Sequence, residues 1–437
     1  MKVLKFGGTS VGSAARIKHV AKLIAERGRN IVVLSAMSGT TNTLASIADY
    51  LYKGNIDGAK ETALDLYDHY AATLSELFAN EVGYDGAAEA IKQRFDAVHA
   101  LCVAPFTVDK EKELLAQGEM MSVAMMRAYL QAQGYRVGHL PALDIIALND
   151  DGEPDTARIG EALAPRLADA DSFDLYLTEG FICRDARGRI DNLQRGGSDY
   201  TASLIGAAIG AEEIQIWTDI DGMHNNDPRY VEGTSPVNEL HFEEAAELAY
   251  FGAKILHPTC VQPAKVNNIP VRLLNSLDPL SPGTIIHNCV TAEPGAKAIA
   301  AKDGITAIRI KSGRKHLAYG FLRKVFTVFE TYRTPIDIIT TSEVAVSVTV
   351  DSTRDLDRIL GELRSFGTVT VDTDMVIVSI VGDMHWKHCH IHATIMQALS
   401  HIPVRMISYG GSDHNISLLI PQAYKVDALR ALSAALF

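Results

Sequence analysis

The last third of the chain runs through the same order of elements twice. Strand-like Ile305–Ile310 leads to a helical stretch over Gly320–Thr331, strand Val344–Val350 and helix Asp351–Phe366. The second round has strand Met375–Val381, helix Ala393–Leu399, strand Asn415–Ile420 and helix Tyr424–Leu436. Thr334-Pro335-Ile336-Asp337-Ile338-Ile339 and Ile402-Pro403-Val404-Arg405-Met406-Ile407 hold equivalent places, their prolines 68 residues apart. Both rounds read β-α-β-β-α, with a closing strand near Val369–Val371 in the first, the pattern of a ferredoxin-like split unit.

The first two thirds alternate strands and helices instead. Val3-Leu4-Lys5-Phe6 is a short apolar strand ending in Gly7-Gly8-Thr9-Ser10. Ile17, Val20, Leu23 and Ile24 then mark one face of a helix that stops near Gly28. Ile31–Leu34 is a buried strand by its β-branched content and ends in the loop Ser35 to Thr41. Later strands fall at Leu175–Leu177, Ile214–Trp217 and Val271–Leu274, and helical spacing from about Ile47 to Tyr129 marks a largely α insertion. Such alternation argues for an α/β fold with a mainly parallel sheet, whose ligands sit at the carboxyl ends of the strands. Composition shifts at Ser281-Pro282-Gly283 and again at Pro294-Gly295, which places a boundary between about 285 and 300.

The 437 residues suffice for two to three domains, and the formal charge of −12 argues against nucleic acid or anionic membrane as a partner. No apolar run approaches the roughly 18–20 residues of a membrane helix. The start of the sequence shows no basic-then-apolar leader. The five cysteines are far apart with no Cys-x-x-Cys pair, as expected of reduced thiols in a cytosol, each a small buried hydrophobe.

Several segments could carry chemistry. In Lys5-Phe6-Gly7-Gly8-Thr9-Ser10 two glycines let the backbone approach a phosphate at a helix N-terminus, and Lys5 projects onto the same anion. Neither a Walker A loop nor a dinucleotide fingerprint is present there. Leu193-Gln194-Arg195-Gly196-Gly197-Ser198-Asp199 precedes an apolar helix starting near Tyr200; Arg195 can grip a carboxylate bidentately, while Asp199 could equally be a plain N-cap. A near copy, Tyr409-Gly410-Gly411-Ser412-Asp413, lacks the arginine, and Asp413 reads as a turn residue. Strand Ile214–Asp219 runs into a polar loop containing His224, Asp227 and Arg229, suited to nucleotide contacts. Gly252-Ala253-Lys254-Ile255-Leu256-His257-Pro258 presents a second lysine. Cations gathered around glycine-rich cradles are the equipment of phosphoryl transfer, whose catalysis is largely positioning and charge neutralisation. His385, His388, His390 and His392 cluster around Cys389 with alternate spacing that would share a strand face, but no carboxylate or second cysteine completes a ligand set, and no metal site is assigned.

Lys5–Ser10, Arg195–Asp199, Thr218-Asp219 with Asp227-Pro228-Arg229, and Phe251-Gly252-Ala253-Lys254 with His257-Pro258 together resemble the aspartate kinase family, in order and spacing over essentially the whole chain. The resemblance implies an amino-acid-kinase α/β domain over 1–290 and two ferredoxin-like ACT regulatory domains over 297–372 and 373–437. It implies transfer of the γ-phosphoryl of ATP, with Mg²⁺ carried by the nucleotide, to the side-chain carboxylate of L-aspartate, at the head of lysine, threonine and methionine synthesis. Lys5 and Lys254 are then expected at the ATP phosphates, with Phe6, Gly7, Gly8, Thr218, Asp219, His224, Arg229 and Ile255 around the nucleotide. Asp199 is expected to hold Lys5 in place. Thr41, Glu119, Arg195, Gly196, Gly197 and Ser198 are expected at aspartate, Glu119 on its ammonium and Arg195 on a carboxylate. Gln194, where relatives usually have glycine, and His224, for a common tyrosine, depart from the pattern.

Asp337–Glu343 and Val404–Tyr409 resemble the lysine-inhibited, single-function members, with Asp337 and Glu343 expected on the ammonium groups of lysine and Ser342 on its backbone end; Lys315 to Ala318 differ from that subclass. The family further implies a homodimer or homotetramer through the ACT domains, in the cytoplasm. A kinase for another carboxylate acceptor and a non-catalytic ACT sensor are the alternatives. The tandem repeat counts against the first, and Lys5, Lys254, Arg195 and Asp199 against the second. Length leaves no room for a fused homoserine dehydrogenase.

Overall fold

The computed structural model describes residues 1–79, 83–168, 172–193, 196–252, 256–289, 295–312, 320–342 and 344–437. They form two compact units. Met1–Met223, Asn238–Phe242 and Leu256–Cys289 make the first; His224–Val237, Glu243–Ile255 and Val290–Phe437 make the second. Two stretches within the expected 1–290 domain therefore fold with the second unit.

The first unit contains β1 (Val3–Phe6), β2 (Ile31–Leu34), β3 (Val137–His139), β4 (Leu175–Glu179), the separate hairpin β5 (Ile182–Arg184) and β6 (Ile190–Asn192), β7 (Ile214–Thr218), β8 (Glu239–His241), β9 (Val271–Asn275) and β10 (Thr284–His287). The sheet order is β3-β4-β2-β1-β7-β9-β10-β8. The run from β3 to β9 is parallel; β10 lies antiparallel to β9, and β8 runs with β10. All four residues of β2 are buried, the pattern of a strand covered on both faces. From β1 the chain builds outward first through β2 and β4, then on the other side through β7 and β9. The crevice of a doubly wound sheet opens at such a reversal, and here it opens at the end of Val3-Leu4-Lys5-Phe6.

Helix α1 (Ala14–Ala25) is capped by Ser13, whose Oγ accepts from the Arg16 N–H. The expected α insertion is four helices, α2 (Thr40–Tyr52), α3 (Ile56–Phe78), α4 (Tyr84–Leu101) and α5 (Val108–Ala132). Their apolar faces (Leu44, Tyr70, Leu74, Phe95, Met121, Met125) join Leu4, Phe6, Val32 and Leu34 of the sheet in one core. Each fully buried side chain of this size contributes about 2 kcal/mol, so α5 is held against the sheet along most of its length.

The second unit contains β11 (Gly295–Ser312), β12 (Ile339–Thr341), β13 (Ala345–Val350), β14 (Gly367–Asp383), β15 (Met406–Ser408) and β16 (Asn415–Pro421), in the antiparallel order β12-β13-β11-β14-β16-β15. β11 and β14 are 18 and 17 residues long and pair along their lengths. Ala307–Ser312 pair with Gly367–Asp372, and β13 adds to that half; Gly295–Lys302 pair with Ile377–Asp383, and β16 adds to the other. Between the halves the register shifts around Ile305, where Gly304 takes φ +74°, a left-handed conformation that costs glycine little. Each half has its own core. Ile308, Val346 and Val348 meet helices Phe321–Thr331 and Leu356–Arg364, and Val378, Ile380 and Leu418 meet helices Cys389–Ala398 and Lys425–Leu436.

The repeated order expected from sequence is thus present, with a difference in assembly. Residues 295–302, ahead of the first strand of the first round, pair with the second round, so the halves are interlaced rather than laid end to end at 372/373. The histidine cluster also differs from expectation. His385 and His388 lie in a turn and His390 and His392 in helix Cys389–Ala398, where alternate residues point to nearly opposite sides. Cys102, Cys183 and Cys260 form no disulfide and are buried, whereas Cys289, also unbridged, is exposed, contrary to the expected buried hydrophobe.

Candidate active site

A cavity of about 430 Å³ opens at the carboxyl ends of β1 and β2. It brings together eight residues expected from sequence: Lys5, Gly8, Thr41, Glu119, Gly196, Gly197, Ser198 and Asp199. Two helices begin on it, α2 behind Gly39 and helix Gly197–Ile209 behind Gly196, so unpaired N–H groups and the positive ends of two dipoles face one space. That is an anion cradle by construction. Gly8 is there for a steric reason: a Cβ on it would stand 2.7 Å from the Ala36 carbonyl oxygen. Gly196 takes φ +75° and ends the approach loop as the N-cap. The helix therefore starts at Gly197, ahead of the expected Tyr200, and Asp199 is a first-turn residue instead of the cap.

The Asp199 carboxylate meets Lys5 Nζ at 2.6 Å, both side chains about nine-tenths buried (12 and 11 % exposed). This pair fixes the ammonium at the strand end. Glu119 enters from α5, only 4 % exposed. Its Oε1 accepts the Ala36 N–H at 3.2 Å, and its Oε2 meets no donor. Burial pushes the Glu119 carboxyl up to about 8; Glu179 adds to this, while the Ala36 N–H and Lys5 hold it back. A buried carboxylate with an open oxygen is a receptor for a cation that brings its own hydrogens.

Sequence reasoning missed part of the lining. Ser35, Ala36, Met37, Ser38 and Gly39 form the floor after β2, and Thr9 and Phe181 complete the wall. The signal was a run of small residues at a strand's carboxyl end, read only as a loop. Phe181 carries φ +67°, rare for a bulky residue and typical of backbone held at a working site.

Other expected residues are placed differently. Phe6 turns its ring into the core, stacked on Trp217 with centroids 5.7 Å apart, so only its backbone is near the cavity. Gly7 donates its N–H to the Trp217 carbonyl at 3.1 Å, bringing Thr218 alongside; Asp219, the next residue, is exposed and accepts from Thr218 Oγ1. His224 and Arg229 belong to the second unit, where Arg229 is clamped on Asp227 (2.6 Å). Asp337 and Ser342 lie in that unit too. Asp413 sits in a turn. Lys254, Ile255, Arg195 with Gln194, and Glu343 lie outside the described residues, as do Lys315 to Ala318.

Comparison with known proteins gives this geometry a family. Residues 1–275 match the Amino acid kinase family and residues 378–436 an ACT domain. The chain is 34 % identical to aspartokinase 3, chloroplastic, of Arabidopsis thaliana over 463 residues, covering all of this chain and 81 % of that one. It is 32 % identical to lysine-sensitive aspartokinase 3 of Escherichia coli over 451 residues, covering all of this chain and 99 % of that one. The crystal structure of E. coli aspartokinase III with aspartate and ADP (R-state) is similar with a TM-score of 0.82, covering 100 % of both chains; the same enzyme with lysine and aspartate (T-state) gives 0.81, covering 100 % of this chain and 99 % of that one. The chain belongs to the aspartokinases, the amino acid kinases that phosphorylate aspartate.

Proposed function

We propose that the cavity at the end of β1 joins ATP to L-aspartate and yields 4-phospho-L-aspartate and ADP. The observation that carries this reading is the placing of an open, buried carboxylate oxygen of Glu119 in the same space as the Lys5–Asp199 pair. Glu119 takes the aspartate ammonium. The N–H groups of Gly196, Gly197 and Ser198 at the helix start, with Thr41 and Arg195, take its carboxylates. Gly8 and Lys5 take the phosphates, joined by Lys254, while Gly7, its N–H held by the Trp217 carbonyl, contributes only close backbone approach. Thr218, Asp219, His224, Arg229, Ile255 and the Phe6 backbone meet the nucleotide.

No general base is needed, because the side-chain carboxylate of aspartate is ionised at pH 7. One of its oxygens forms a bond to the γ-phosphorus as the bond from that phosphorus to the β–γ bridging oxygen breaks, and the electron pair leaves with ADP. Lys5, oriented by Asp199, neutralises charge on the transferring group throughout. Mg²⁺ carried by the nucleotide would supply further neutralisation of phosphate charge. Among the described residues no group of three or more His, Cys, Asp or Glu side chains is arranged as a metal site, and Mg²⁺ needs only one or two carboxylates beside phosphates.

Trapping the acyl phosphate with hydroxylamine, using aspartate or glutamate as acceptor, tests the reading. Hydroxamate from aspartate alone is expected. Equal yields from both would make this a kinase of another acceptor, and none from either a sensor.

Lysine is the proposed effector, bound in the second unit near Asp337, Ser342 and Glu343. There Asp337 already holds an internal ammonium. Its Oδ1 meets Lys302 Nζ at 2.6 Å and accepts from the Tyr250 hydroxyl at 3.0 Å, and Lys302 also meets Asp351 at 2.9 Å. Burial raises the Asp337 carboxyl above its usual range. Free lysine must compete with Lys302 for that oxygen. Lys302→Met is therefore expected to lower the lysine concentration for half-inhibition about fivefold, the factor given by about 1 kcal/mol of coupling. An unchanged half-inhibition would remove Asp337 from the effector site.

A homodimer or tetramer through the ACT sheets is supported by its two short edge strands, which expose Ile339 and Ile407. We place the protein in the cytoplasm. Among the described residues no helix is long and apolar enough to cross a membrane, and Cys102, Cys183, Cys260 and Cys289 are unbridged.

A further inference from the structure

We propose that the first unit holds a second ligand site, for a small organic carboxylate with an apolar body and no amine. A cavity of about 270 Å³ is bounded by α4, α5 and the ends of β3 and β4. Its charged wall is two guanidiniums, Arg94 of α4 and Arg127 of α5. Arg127 Nε is shielded from water and meets no acceptor. Arg94 Nη1 donates to the Met120 thioether at 3.3 Å, a weak acceptor. Among the described residues neither arginine has a carboxylate partner.

The carboxylate that does line the cavity is committed elsewhere. Glu179 Oε1 is 2.8 Å from His139 Nε2, and Oε2 accepts the Ala142 N–H at 2.8 Å. Two cations thus face one engaged anion, and a shielded guanidinium N–H without an acceptor is costly to leave so. A planar carboxylate matches the guanidinium fork. Apart from Gln93, whose amide donates to Glu89, the rest of the wall is mainly hydrocarbon, including Val123, Leu143 and Ile182. That lining favours a carboxylate attached to an apolar group over a bare inorganic anion, and an α-ammonium would meet two like charges.

This site is separate from the catalytic cavity, though the two share α5: Glu119 lines one and Met120 the other.

The test uses 4-fluorobenzoate as the probe, followed by ¹⁹F NMR on the full chain with aspartate and ADP present to fill the catalytic cavity. Saturable broadening at millimolar probe is expected, weakened at least about tenfold in Arg127→Met and in Arg94→Met, the loss of one charge-assisted hydrogen bond. Arg127→Lys should bind between the two. Neutral 4-fluorobenzyl alcohol should bind at least about tenfold more weakly than the acid. Both methionine variants should keep hydroxamate formation within about twofold of the parent, which reports an intact fold without using the new site. Absence of saturable binding in the parent would overturn the proposal. So would binding unchanged in both methionine variants, or equal binding of acid and alcohol. Should a methionine variant fail to fold, undiminished binding in Arg127→Lys together with equal affinity for the alcohol would overturn it as well.

Discussion

Lys5→Met is expected to lower kcat by about 10²- to 10³-fold, the usual consequence of removing one preorganised charge from a developing anion. It should also destabilise the protein, because Asp199 is then left buried without its 2.6 Å partner. Breaking such a pair from one side costs about 3 kcal/mol. The two effects separate in the double variant Lys5→Met/Asp199→Asn, which removes the stranded charge. Denaturant unfolding should show most of the lost stability restored, while single-turnover phosphorylation stays slow. If the double variant regained activity along with stability, Lys5 would be a structural lysine and the phosphoryl group would need another cation.

Glu119→Gln is expected to lower kcat/KM for aspartate about 10²-fold, with the loss in KM, since the variant keeps the shape but presents no charge to the incoming ammonium. The parent should have a pH signature. With its carboxyl held near 8, Glu119 is mainly protonated in the empty protein at pH 7 and must ionise to accept the cation. Below pH 8, aspartate binding therefore releases a proton, and kcat/KM should rise by up to about tenfold per pH unit before flattening above 8. Glu119→Gln should lose that slope.

Stability runs the other way. A carboxyl raised in the folded state is bound to its proton more tightly there than in the unfolded chain. Its contribution is complete below about 4.5, the unfolded value, and is lost as pH climbs toward 8. The aspartate-bound protein should lack this decline. Calorimetry in buffers of different ionisation enthalpy counts the released proton; a count of zero at pH 7 would remove Glu119 as the ammonium receptor.

The parts of this molecule legible in the sequence are those written in local periodicity. Strand Ile31–Leu34, the helical insertion and the doubled order after residue 304 each follow from apolar spacing within a dozen residues. Lys5 and Gly8 were legible as a strand end able to approach an anion, though a tight turn would use the same glycines. The pairing of Asp199 with Lys5 came from the resemblance, because its own surroundings offer a helix cap as readily. Glu119 was not readable from its own surroundings. In a 25-residue helix it looks like any solvated glutamate, and its burial follows from the packing of α5; the resemblance supplied the role expected of it. Residues of one strand alternate between faces, so Phe6, the motif neighbour of Lys5, turns its ring into the core. Pairing of residues 295–302 with 377–383, and of Lys302 with Asp337, depends on partners dozens of residues away that no local pattern specifies.

Two uninterrupted strands running through both halves of the regulatory sheet make those halves one mechanical part. A chimera that exchanged only residues 373–437 with a relative would import a sheet whose last ladder is still written in the host's residues 295–302. Transplanting effector specificity should therefore succeed as a single block from residue 295 to the end. For the same reason, drift in either half is constrained by the other, as with two rooms that share their load-carrying beams.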